Sequence, residues 1–166
     1  MRIWKTENEE IVIERIPAQL LGWLREIPGV LESSGEIAAK RFFPPPSEDP
    51  LLKEICEDWV RYVHPELNEY FRRVREEVAL DLKVLEESGG WVKLLIPMKH
   101  VEGWLSVLNQ ARFCLCEVWG FTDEEMSNSV VSDPRKQGRG LTERALARFQ
   151  CDFYGILMEA ILGLSE

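Results

Sequence analysis

Two charges stand where helical periodicity reserves a place for the core. One helical line, Leu67, Phe71, Val74, Val78, Asp81 and Leu85, carries a single carboxylate. The next, Leu105, Leu108, Arg112, Leu115 and Trp119, carries a single guanidinium. Each is costly to bury alone, and Asn109, three residues before Arg112, can share its face. Two uses follow. Asp81 and Arg112 can form an internal ion pair that fixes two helices, or Arg112, Asn109 and Asp81 can line a polar pocket for a small anionic ligand or a partner's carboxylate. Because core slots of facing helices tend to meet, the pattern predicts Asp81 and Arg112 side by side, buried and hydrogen-bonded.

Other chemistry is sparse. The stretch Asp133-Pro134-Arg135-Lys136-Gln137-Gly138-Arg139-Gly140 precedes a helix start and holds three positive charges and two glycines. Arg135, Lys136 and Arg139 could bind an anion with the help of helix amides, but no Gly-x-x-x-x-Gly-Lys-Ser/Thr phosphate loop is present, so a solvated loop is the plainer reading. Cys114 and Cys116 are the close cysteine pair. On a helix, residues two apart point about 200° apart and cannot share one zinc ion. His64 and His100 stand alone in sequence, and no metal site is expected. Neither a Gly-x-Ser-x-Gly elbow nor a cysteine within motif range of a histidine offers an activated nucleophile. The acidic runs Glu7 to Glu10 and Asp123 to Glu125 read as solvated or capping groups. No catalytic residues and no cofactor are expected. Cys56, Cys114, Cys116 and Cys151 read as reduced, apolar core fillers.

The elements that must position these residues are mostly helical. Segments 2–6 and 10–14 have the composition of a β-hairpin, and Trp91 to Ile96 adds a third strand. A helical stripe through Leu20, Leu21, Trp23, Leu24 and Ile27 should end or kink at Pro28-Gly29. Pro44, Pro45, Pro46 and Pro50 make 35–50 a Pro-rich loop. Asp49-Pro50 caps a helix over about 50–63, His64-Pro65 breaks it, and a long helix then runs to about Glu87, where Ser88-Gly89-Gly90 stops it. Met98 to Trp119 is a helix closed by Gly120, and Thr122 to Glu125 has the capping-box form. Leu141 to Leu164 is the last helix, with Ala145, Phe149, Phe153, Ile156, Ala160 and Leu164 inward. The fold class expected is mainly α (α+β): a single domain over 1–166, a bundle of five to six helices with a small antiparallel sheet of about three short strands. The hairpin occupies 2–14 and the helical core 50–165.

Composition narrows the partners. The chain has 166 residues, 45% apolar, with 20 Lys and Arg against 29 Asp and Glu, a formal charge of −9. Such a chain repels phosphate backbones, so nucleic acid is not an expected partner. The longest apolar run, Phe153 to Leu164, is too short for a bilayer span. With no signal-like amino terminus, the expected location is cytoplasmic.

The stretch from Val92-Lys93-Leu94 through Gly103-Trp104-Leu105-Ser106-Val107-Leu108-Asn109-Gln110-Ala111-Arg112-Phe113 resembles the Trp-Leu-x-x-Leu-Asn-x-x-Arg core of an uncharacterised bacterial domain family. The likeness extends to Asp81-Leu82-Lys83-Val84-Leu85, more loosely to Phe153-Tyr154-Gly155-Ile156-Leu157, and covers about half the chain. The resemblance implies a small, mostly helical cytoplasmic protein whose gene is sometimes found beside the adaptor of the Clp protease. It implies no activity, and this chain departs from the family in its Pro-rich and Arg135 to Gly140 loops. The residues themselves favour a non-catalytic cytosolic module that binds another protein. The alternative is a small-molecule binding protein or enzyme with a polar pocket around Arg112. A homodimer contact through exposed Trp or Phe of the sheet or Pro-rich loop is a further expectation.

Overall fold

Hydrophobic alternation and turn chemistry build a four-stranded sheet. The structure, a computed structural model, describes residues 1–33, 42, 44, 46–127 and 142–165. Strands β1 (Arg2–Lys5), β2 (Glu10–Pro17), β3 (Glu86–Ser88) and β4 (Trp91–Pro97) lie in the order β1-β2-β4-β3, all antiparallel. The expected hairpin is present, but β2 runs three residues beyond 14. Between Ile13 and Ile16 the register shifts, with Arg15 at φ 58°. That bulge resets the side-chain parity, so Ile11, Ile13 and Ile16 all reach the core although strict alternation would turn Ile16 outward.

β3 is a strand that the sequence reading gave to the end of a helix. Gly89 and Gly90 both have positive φ, the requirement of a two-residue type I′ hairpin turn, and Ser88 pairs with Trp91 across it. The Gly-Gly step therefore joins two strands instead of stopping a helix at Glu87.

Helices cover the sheet. α1 (Leu21–Ser33) continues past Pro28 instead of ending there. α2 (Lys53–Asp58) follows a 3-10 turn in which the Asp49 carboxylate accepts the Leu51 amide at 2.9 Å. Pro65 leaves its break as a π turn over Trp59–Val63, where the His64 amide bonds to the Trp59 carbonyl. α3 (His64–Asp81) follows directly. α4 (Val101–Trp119) ends on Gly120 in the left-handed region, as its sequence requires. α5 (Asp123–Ser127) and α6 (Glu143–Ser165) complete the described chain.

α4 is the central helix, packed against α1, α3 and α6. Val101, Gly103, Trp104, Val107, Leu108, Gln110, Ala111, Cys114 and Leu115 are buried on it, more than a single stripe. α6 presents Ala147, Cys151, Tyr154, Leu157 and Ile161 inward and leaves Ile156 half exposed. Of the expected inward line, Phe153 is buried and Leu164 packs against the core, whereas Ile156 turns outward, so the buried face is rotated by a residue or two. Both lines are apolar at helical spacing, and only the packing against α4 and α1 chooses between them.

Candidate functional site

The two misplaced charges do different things in different places. Asp81, at the end of α3, is buried and accepts from Trp104 Nε1 at 2.8 Å and pairs with His100 Nδ1 at 3.0 Å. Arg112 is not its partner. The end of α3 meets the start of α4, and eight residues separate Trp104 from Arg112, about 12 Å along a helix axis. Periodicity found both inward slots, but the register between the helices set their partners. His100, which sequence reading left aside, completes the Asp81 site. Its signal was the spacing His100-x-x-x-Trp104, two polar tips one turn apart on one face.

Arg112 faces α6 instead. Its guanidinium lies against Gly155, where an added Cβ would come within 3.3 Å of the guanidinium carbon. Nη1 reaches the Met158 sulfur at 3.9 Å, and the buried Nε has no hydrogen-bond partner among the described residues. Beside it opens a cavity of about 320 Å³ lined by Asn109, Arg112, Phe113, Cys116, Glu117 and Phe121, with Asp123 and Met126 at α5. Asn109 and Arg112 of the expected pocket therefore do line one cavity. Asp81 belongs elsewhere. Glu117 and Asp123 add carboxylates that lie off the inward helical lines.

The cysteines gather at the same place. Cys116 is half-buried on the cavity wall, and its sulfur lies 3.8 Å from that of Cys151, which is fully buried on α6. The pair arises because Cys116 and Arg112 sit one turn apart on α4. Hydrogen bonding from Cys116 holds the Cys151 thiol down at about 7 against the effect of burial, with help from the Arg112 guanidinium. The same contact and burial push Cys116 well above the usual thiol range. Next to this pair Arg148, buried, bonds to Asp152 at 3.0 Å and to the Met126 carbonyl at 3.3 Å, tying α6 to α5.

A second feature projects from the bundle. No residue from Pro50 to Val63 is buried, yet Leu51, Leu52, Ile55, Val60, Tyr62 and Val63 are all exposed. Lys53 and Arg61 are outnumbered there by Glu54, Glu57 and Asp58, and Glu66 and Glu69 follow on α3. Trp4 and Trp91 are also exposed on the sheet.

The family model described as "Domain of unknown function (DUF2017)" matches residues 2–164. The chain belongs to this family. No curated protein and no solved structure gives a significant match. The family match covers the sheet, the cavity and the projecting segment together.

Arg135, Lys136 and Arg139, the weaker anion-site candidates, lie outside the described residues. Among the described residues, no group of three or more His, Cys, Asp or Glu is placed to hold a metal ion. No described helix is long and apolar enough to cross a membrane. The capping-box reading of Thr122 to Glu125 is met: the Thr122 amide donates to Glu125, and the Glu125 amide to the Thr122 hydroxyl.

Proposed function

We propose that this member of the DUF2017 family is a non-catalytic module that docks onto another protein through the projecting segment Pro50–Val63. The observation that carries the reading is a continuous run with no buried residue that nevertheless exposes six large apolar side chains, Leu51 at 89% and Tyr62 at 61%. Isolated exposed apolar residues are ordinary, but a contiguous patch with a charged rim is characteristic of a binding surface. The rim is acidic, so the partner is a protein presenting an apolar groove bordered by Lys and Arg.

The test uses the full chain with a photo-crosslinking residue at position 55, with and without the double substitution Leu51→Ser, Val60→Ser. The expected result is one crosslinked partner with a basic surface, its yield falling as the salt concentration during irradiation is raised, and lost in the double variant while its melting temperature stays unchanged. Crosslinking to a second copy of the chain, or capture indifferent to the double variant, overturns the reading.

The Arg112 cavity favours a second reading, a small ligand with an anionic group on the unpartnered Arg112 Nε. Glu117 and Asp123 disfavour a purely anionic ligand there and suit a zwitterion that also carries an amine. A thermal-shift screen of zwitterionic metabolites against wild type and Arg112→Met tests it, because a true ligand stabilises the wild type by mass action.

A further inference from the structure

We infer that Cys116 and Cys151 form a reversible oxidation site, a dithiol that hydroperoxides convert to a disulfide joining α4 to α6 at the wall of the Arg112 cavity. The placement carries it. Two cysteines 35 residues apart in sequence have their sulfurs in van der Waals contact at 3.8 Å, across the contact between two helices. A disulfide needs about 2.05 Å, a gap that side-chain rotation and a small helix shift can close.

The cavity decides the order of attack. Cys116 lines it and Cys151 does not, so an oxidant entering from solvent meets Cys116 first. The Cys116 thiol passes its proton to the neighbouring Cys151 thiolate, and the Cys116 sulfur attacks one peroxide oxygen. An S–O bond forms, the O–O bond breaks, and the leaving alkoxide takes up from water the proton that Cys151 lost on ionising. Cys116 is left as a sulfenic acid, two electrons poorer, and the peroxide as an alcohol or, from hydrogen peroxide, water. Cys151 then attacks the Cys116 sulfur. The S–S bond forms, the S–O bond breaks, and hydroxide leaves with the Cys151 proton as water. The net change is two thiols and one hydroperoxide to one disulfide, one alcohol and one water, and an external dithiol reverses it.

Arg112 has a role in both steps. Its guanidinium contributes to lowering the Cys151 thiol and favours negative charge on the sulfur pair. Cys56 and the buried Cys114 are not part of the pair and serve as internal controls.

The experiment exposes the full-length reduced protein to a small excess of hydrogen peroxide, then titrates thiols after denaturation and maps the peptides by mass spectrometry. The expected result is the loss of two of the four thiols, a Cys116–Cys151 crosslinked peptide, and recovery of both thiols with dithiothreitol. Cys151→Ser should stop at a Cys116 sulfenic acid that dimedone labels, Cys116→Ser should react several-fold more slowly, and Cys56→Ser should behave as wild type. Crosslinking in the wild type should quicken as pH rises through about 7, where the Cys151 thiol ionises. The wild type needs no substitution, so folding of the variants does not limit the test. A wild-type protein that keeps both thiols, or loses them to sulfinic acid or to bonds between molecules, overturns the inference. Partner docking through position 55 is read separately, so either proposal can fail alone.

Discussion

At the scale of single residues, burial without a partner separates the two charges that the sequence singled out. Asp81→Ala leaves Trp104 Nε1 without its acceptor in the core, and an orphaned buried donor costs about 1–3 kcal/mol. Arg112→Ala removes a group whose Nε is already unpartnered, so it should cost less than Asp81→Ala, not the several kcal/mol of a broken buried ion pair. Urea denaturation of the two variants checks the order, and a larger loss for Arg112→Ala would contradict it. Glu125 supplies a pH test. Hydrogen bonding from Arg144, followed by that of the Thr122 amide, holds its carboxyl down at about 2. A carboxyl lowered in the folded state contributes stability that is present above its unfolded value and lost as pH falls through the folded one. Acid titration of the melting temperature should therefore show a loss below about pH 4.5 that Glu125→Gln reduces. Both charges were legible as inward slots, whereas the His100 and Trp104 partners were not, because a one-dimensional pattern holds no register between helices.

At the scale of elements, two glycine positions carry the argument. Gly89 and Gly90 turn the β3–β4 hairpin with positive φ, so alanine at either should cost about 1–2 kcal/mol. Strand β3 should be the first to fray in hydrogen exchange of those variants, and unchanged protection at Glu86 to Ser88 would count against the turn's role. Gly155 lies inside α6 under the Arg112 guanidinium. Alanine is worth about 1 kcal/mol more than glycine within a helix, but here its Cβ would press on the guanidinium carbon at 3.3 Å. Gly155→Ala should therefore stabilise more in an Arg112→Ala background than in the wild type. Equal effects in both backgrounds would mean that the contact carries no energy. The capping box, the Gly120 stop and the Asp49 cap were readable because each is a local rule. The β3 strand was not, since Ser-Gly-Gly ends a helix or turns a hairpin equally well until a neighbouring strand is there to pair.

At the scale of the whole molecule, α4 sits among α1, α3 and α6 and carries the Asp81 contact near its start and the cavity wall near its end. Circular dichroism should report a helical content above one third, and a lower value would contradict the architecture. The sequence by itself determined the mainly helical class, the hairpin, the inward placement of Asp81 and Arg112, and the helix ends marked by Asp49, Gly120 and the Thr122–Glu125 box, because periodicity, caps and turns act over a few residues. Tertiary structure alone decided which face of α6 is buried, that Asp81 meets Trp104 and not Arg112, that Cys116 meets Cys151, and that Pro50 to Val63 stands clear of the core. Each of these depends on how far one helix slides or turns against another. That quantity is set by the summed packing of side chains distant in sequence, and no local pattern encodes it.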